Sequence, residues 1–398
     1  MKFSVPRSEF FKAIQRVIGA IQVKTTIPLL GDLLLQLENN TLQIFATDLE
    51  IMLSTKIRVE GVEDGTLAVP AKMLNEILRE LGDVKIEVLS EENFRLKLIS
   101  DRGVYKIAGD SGDEFPLMPV SELVNEFTIP PSQIARMVEK TIFAVSRDEL
   151  RAALTGVLFQ IAPEDLTLVA TDAHRLVRIK ATHFSADVEE KNIIVPTKAL
   201  SLLLKNVTEE KEPIRIAFGE NYIVFRLEQT EIISRLIDSN YPKYEEAIPQ
   251  KSEKKLILNR DLFASSLRRI SIFSNLSTRQ VHLSLKPEKI EVYSHDFNVG
   301  AEGMEVLPAE YEGEEMEIGY NSVYIQEMIR HVDTEEVVME LGGPLSPTLI
   351  FPMQQMEGED LLMLLMPINL ESAEEEESEE ADEYEDYGEA SYSEDMDY

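Results

Sequence analysis

An internal repeat constrains this chain more than any single motif. FSVPRSEFFKAIQRVIGAI (3–21) returns as FTIPPSQIARMVEKTIFAV (127–145) and, more weakly, as LILNRDLFASSLRRISIFS (256–274). Each copy reads as a short strand, a turn at Pro or Asn, then an amphipathic helix. A second unit, LAVPAKMLNEILREL (67–81), returns as IIVPTKALSLLLKNV (193–207) and loosely as EIGYNSVYIQEMIRHV (317–332). Between them lies a third: LQIFATDLEIML (42–53), LTLVATDAHRLV (166–177) and IEVYSHDFNVGA (290–301). Its aspartates, Asp48, Asp172 and Asp296, stand 124 residues apart both times. A period that long is a whole domain, so the spacing predicts three domains, 1–122, 123–252 and 253–370.

Inside each repeat the order is strand, helix, alternating strands, helix, more strands, with hairpin signals such as ENNT (38–41) between strand-like runs. This is an α+β architecture, with two helices backing antiparallel sheet in each domain. Three such domains could form a row, an arc, or half of a closed ring.

Residues 371–398 break from the repeat. They hold 15 of the 73 acids and no Lys or Arg, so the 370 residues before them carry 58 acids against 39 bases. Too little apolar surface is present there to offset the entropy of ordering, which predicts a disordered acidic tail. A net charge of −34 argues against a nucleic-acid partner until its distribution is considered. The chain has no cysteine, which removes disulfides, thiolate metal sites and cysteine nucleophiles, and its five histidines form no pair at ligand spacing. No metal or cofactor is expected. The start MKFSVPRSEF lacks the apolar core of a signal peptide, and LLMLLMPINL (361–370) is too short to span a bilayer, so a soluble, cytoplasmic protein without a membrane partner is expected.

Asp172, His174 and Arg175 are the densest cluster of chemistry-bearing groups. The equivalents of this stretch read Asp48-Leu49-Glu50 and Asp296-Phe297-Asn298. An acid that recurs where its neighbours change fits a turn cap between two strands. No serine elbow or second histidine accompanies the cluster, yet general acid/base work by His174 stays open at this point. A pure protein scaffold is a further alternative.

The helices segregate charge. With Phe10, Ile14, Val17, Ile18 and Ile21 inward, the first leaves Lys12, Gln15 and Arg16 opposite. The second copy, burying Ile134, Val138, Thr141 and Ile142, exposes Arg136 and Lys140, and the third leaves Arg268 and Arg269 outside. The other helix type buries Leu74, Ile77, Leu78 and Leu81 and presents Lys72 and Arg79, then Lys198 and Lys205, then Arg330. These faces are either ordinary solvated surface, diluted by Glu76, Glu139 and Glu327, or phosphate-facing. Bases spread singly over six equivalent helices would surround a backbone without reading sequence.

MKFSVPRSEFFKAIQRV, PLLGDLLLQ (28–36), ATDLE (46–50), VPAK (69–72), ATDAHRL (170–176), VPTK (195–198), YPKYEEAIP (241–249) and MPINL (366–370) together resemble the bacterial β sliding clamps, the processivity subunits of DNA polymerase III. The resemblance runs in order over residues 1–370. It implies a head-to-tail homodimer closed into a six-domain ring around double-stranded DNA, with no catalysis and no cofactor. The implied partners are the polymerase III catalytic subunit, the clamp loader and repair proteins. Their peptides would dock on Leu154, Thr171, His174, Arg175, Leu176, Pro242, Ala247, Ile248, Leu365, Met366, Pro367 and Ile368. For DNA it adds Lys24 and Arg147 to Lys72 and Lys198, and for the subunit boundary it sets Arg102 and Tyr105 against Ile272 and Phe273. Ala173, Glu246 and Asn369 depart from the family pattern of glycine, arginine and arginine, which leaves the docked peptide sequence open.

Overall fold

A computed structural model describes residues 1–22, 26–118, 123–296 and 299–369. The expected acidic tail and Lys24 therefore lie outside the described residues. Six helices occur among those described: α1 (Arg7–Val17), α2 (Ala71–Glu80), α3 (Pro131–Thr141), α4 (Thr197–Val207), α5 (Arg260–Ile270) and α6 (Ser322–Arg330). They fall two to each repeat, and they pack in those pairs, α1 with α2, α3 with α4 and α5 with α6. None is long and apolar enough to cross a membrane.

The helix starts follow from local chemistry. Pro6, Pro70, Pro130 and Pro196 precede α1 to α4, each with φ between −51° and −59°, where the pyrrolidine ring already holds the chain. The third repeat replaces proline with asparagine. The Asn259 side chain accepts from Leu262 N at 3.0 Å, and Asn321 accepts from Val323 N at 3.0 Å, satisfying donors that a new helix leaves free. Arginine closes the opposite ends: Arg7 reaches the carbonyls of Leu78 and Arg79 at the end of α2, and Arg260 reaches Val332 O beyond α6 at 2.9 Å.

The strand pairings are antiparallel, and the chain gathers into two compact units. One holds Met1–Ile142, Thr155–Leu166 and Phe184–Asn240; the other holds Phe143–Leu154, Thr167–His183 and the chain from Tyr241. The division runs through the second repeat because strands pair across repeat boundaries.

In the first unit, an eight-stranded sheet continues from one repeat into the next where Thr230–Arg235 pairs with Ile51–Arg58, Thr230 opposite Thr55. One core cluster follows it, joining Leu34, Phe45 and Met52 to Ala217, Val224 and Ile233. Each of these side chains larger than alanine contributes about 1.5–3 kcal/mol by leaving water. The turn at 38–41 is a two-residue hairpin with Asn39 at φ 46° and Asn40 at φ 64°, the left-handed pair that asparagine tolerates. A separate five-stranded sheet ends on the free edge of Val104–Ala108.

In the second unit, Arg175–Ala181 pairs with Glu359–Leu365 over its whole length, Arg175 opposite Leu365. A four-stranded sheet ends on the edge strand Ala301–Pro308.

The helix faces match the expected apolar pattern, but of the side chains expected opposite it Gln15, Arg16 and Arg136 are half-buried. Phe10, Ile14, Val17, Leu74, Leu78, Ile134, Val138, Thr141, Phe263, Leu267 and Ile270 are buried, while Ile18, Ile21, Ile77, Leu81 and Ile142 are half-buried. Lys140, expected on an open face, is 6% exposed. Met137 is also buried, which widens the inward stripe of α3, and Lys140 follows Met137 by three residues on that edge.

Candidate functional site

The recurring aspartate builds one turn twice. Asp48 Oδ1 accepts from Glu50 N and Ile51 N at 3.0 and 2.8 Å; Asp172 Oδ1 accepts from His174 N and Arg175 N at 2.9 and 3.0 Å. The threonine before each does matching work: Thr47 Oγ1 accepts from Leu49 N and donates to Ile51 O, and Thr171 Oγ1 accepts from Ala173 N and donates to Arg175 O. Leu49 at φ 75° and Ala173 at φ 78° take the left-handed position, strained for a side chain with a Cβ. The cap reading holds in these two copies. In the third, Phe297 and Asn298 lie outside the described residues.

What differs between the copies is the second carboxylate oxygen. In the first unit Asp48 Oδ2 takes Lys198 Nζ at 2.5 Å, and Lys198 also donates to Ala20 O at 2.9 Å. Lys198, expected to face phosphate, instead ties α4 to the first repeat. In the second unit Asp172 Oδ2 accepts from Arg175 Nε at 3.0 Å, while Arg175 also bonds Glu327 and, at 2.7 Å, Phe143 O. Its guanidinium lies over the Tyr324 ring, 4.5 Å from the centroid, and 5.3 Å from that of Phe143. Phe143 in turn stacks on His331 at 3.9 Å.

Arg175 is one of the residues on which the resemblance sets the docked peptides. It is buried, because its neighbours are two carboxylates, a carbonyl and two rings. With every edge of Arg175 engaged and Asp172 committed to the turn and to Arg175, the cluster offers no acid/base pair. Tyr324, whose hydroxyl is pushed above its ordinary pKa by burial and then by Asp172, is a member that periodicity alone did not single out.

His174 is the exposed member, its ring stacked 6.0 Å from Tyr324. Its carbonyl accepts from Met366 N at 2.8 Å, and Ile368 N reaches Gly319 O at 2.9 Å, so residues 366–368 lie against the turn. Leu154, Thr171, Leu176 and Leu365 are buried; Ile248, Met366, Pro367 and Ile368 are half-buried; Pro242 and Ala247 are exposed. Tyr241, flanking Pro242, donates to Val169 O. All these residues belong to the second unit, where buried aliphatics lie beneath partly open apolar and aromatic groups.

The bases expected at DNA divide. Lys72, Arg147 and Lys205 are exposed and carry no ion pair among the described residues. Arg79 is exposed beside Glu80, Arg136 is half-buried, and Lys12 and Arg16 share Glu209 at 2.5 and 3.9 Å. Lys56 and Arg58 are two further exposed bases one pleat apart, on a strand rather than a helix, and the alternation in TKIR (55–58) is their signal in the sequence. At the expected subunit boundary Ile272 is 77% exposed, Arg102 is exposed, and Tyr105 and Phe273 are half-buried.

Family models of the DNA polymerase III beta subunit match this chain in order: the N-terminal domain over residues 1–119, the central domain over 128–243 and the C-terminal domain over 245–369. The chain belongs to the β sliding clamp family. A β sliding clamp of Haemophilus influenzae is 30% identical over 371 residues, spanning 93% of this chain and 100% of that one. Among solved structures, the sliding clamps of Bartonella birtlesii and Pseudomonas aeruginosa, both bound to griselimycin, superpose with TM-scores of 0.89 and 0.88 at 29% and 27% identity. Each covers 93% of this chain and 100% of its own. Sliding clamps are non-catalytic processivity factors of DNA polymerase III, which agrees with a His174 cluster whose acid and arginine are fully engaged.

Proposed function

We propose that two copies of this chain, each of three domains (1–122, 123–252 and 253–370), close head to tail into a ring around duplex DNA in the cytoplasm. The observation that carries this reading is a pair of complementary free edges. Val104–Ala108 ends one sheet with exposed Val104 and, two residues before it, exposed Arg102. Ala301–Pro308 ends another with exposed Met304, Val306 and Glu302. An unpaired edge with apolar side chains is a template for another strand, and opposite charges select this pairing over like with like. Ile272 and Phe273 would pack against Arg102 and Tyr105 across that boundary.

Lys12, Arg16, Lys72, Arg79, Arg136, Arg147 and Lys205 would face the DNA backbone, as would Lys24. Lys140 and Lys198 have the structural placements described above. The surface around His174 and Tyr324, floored by Leu154, Thr171, Leu176 and Leu365 and edged by Pro242, Ala247, Ile248 and residues 366–368, would anchor apolar peptide segments of the polymerase, the clamp loader and repair proteins. Arg175 holds that surface from beneath.

The test is retention on DNA after loading by a cognate loader. Retention on circular duplex through high salt, lost when the circle is cut, is the expected result. Equal, salt-sensitive loss from both forms would mean electrostatic binding without encirclement.

A further inference from the structure

In the first unit, α1 and the end of strand Ile51–Arg58 enclose a groove of about 540 Å³ lined by Glu9, Lys12, Arg16, Lys56, Arg58 and Gln229 among others. Four cations meet there in a chain whose net charge is −34. The two halves are fastened together: Gln229 O accepts from Lys56 N at 2.9 Å, and the Gln229 side chain accepts from Arg16.

The halves differ in occupancy. Lys56 and Arg58 are exposed and have no carboxylate partner among the described residues. Lys12 and Arg16 share the exposed Glu209, whose carboxyl the adjacent Lys12 ammonium holds below its ordinary pKa. Among the described residues no aromatic ring lines the groove, so none of them would stack on or read a base.

We propose that this groove seats the phosphodiester backbone of DNA, with Lys56 and Arg58 as a standing phosphate site and Lys12 and Arg16 as a second one that Glu209 occupies until DNA displaces it. This rests on the reading that the protein holds duplex DNA. It extends the DNA-facing surface from helices to a strand, and it gives the acid on that surface a role: Glu209 keeps the grip loose, as sliding requires. Glu9, at the groove wall, adds repulsion of the same sign. The ligand chemistry is shared with free polyphosphates, which a competition arm separates from DNA.

The experiment uses the full chain and a short blunt duplex of mixed sequence, with affinity measured across a salt series. Each neutralised phosphate contributes about 0.9 to the slope of log K against log salt, so K56Q/R58Q should lower that slope by about 1.8 and weaken low-salt binding roughly tenfold, equally for every sequence. E209Q should act in the opposite direction and tighten low-salt binding several-fold. Thermal midpoints of both variants should match the parent, since all three side chains are exposed.

An unchanged slope for K56Q/R58Q, or weaker binding by E209Q, would overturn the proposal. If inorganic tripolyphosphate bound the groove with an affinity above that of duplex, the site would be one for small polyanions and the DNA assignment would fall. Failure here with intact retention on circular DNA would leave the encirclement reading standing; loss of retention by the unaltered protein would remove the foundation of both.

Discussion

At the scale of single residues, two buried groups make stability depend on pH in opposite senses. Asp32, 5% exposed with Oδ2 lacking a hydrogen-bond partner among the described residues, has its pKa pushed up to about 6 by burial and by the nearby Asp110. Between the ordinary carboxylate value of 3.8 and 6 the folded state holds this proton and the unfolded state does not. Its stabilising contribution is therefore complete below 3.8 and fades as pH rises to 6, by roughly 3 kcal/mol at most. Asp32→Asn should remove that decline, raising the urea midpoint at pH 7 to 8 more than at pH 4. An equal shift at both pH values would refute the assignment. His282 works the other way: burial and His295 bring its pKa down to about 4, so its contribution is lost as pH falls below 6.5. Glu317 lies 3.5 Å from its Nδ1, yet desolvation outweighs that attraction.

At the scale of elements, polar side chains join pieces that hydrophobic burial alone would leave loosely registered. Lys198 links the Asp48 turn to α4, and Arg175 links the Asp172 turn, α6 and the carbonyl of Phe143. Removing one partner from such a buried set leaves the others uncompensated, which costs more than the intact set contributes. Arg175→Met, close in volume, should destabilise the fold by about 2–4 kcal/mol in urea titrations, through Asp172 Oδ2 and Phe143 O losing their side-chain donor and Glu327 losing its cation. A loss below 1 kcal/mol would mean that the aromatic packing, rather than the ionic contacts, holds this junction.

Charge placement governs the whole molecule. The acids are densest beyond residue 370, while the exposed bases include Lys72, Arg79 and Lys205 on helices and Lys56 and Arg58 on a strand. Complementary edges give the proposed ring its closure, and the apolar Ile272 side chain is open to solvent in the single chain. Ile272→Asp should place an unpaired charge in that boundary and shift sedimentation from dimer toward monomer by at least tenfold in Kd, with the thermal midpoint of the monomer unaltered. Unchanged association would place the boundary elsewhere.

Repetition, helix starts and the turn-capping acids were legible in the sequence because they obey local rules. A proline or asparagine before an apolar period, a pair of asparagines between strands and an aspartate two and three residues before the amides it caps need no distant partner. The site was only partly legible. His174 is exposed and Arg175, one residue on, is buried; Lys205 is open while Lys140 and Lys198 are not. A charged side chain in a linear pattern has no fixed destination, because its environment is set by chain segments more than a hundred residues away, as Glu327 is for Arg175 and Asp48 for Lys198. Local backbone chemistry determined the repeated elements, and only the tertiary packing decided which of their charges became structural ties and which remained free to meet a partner.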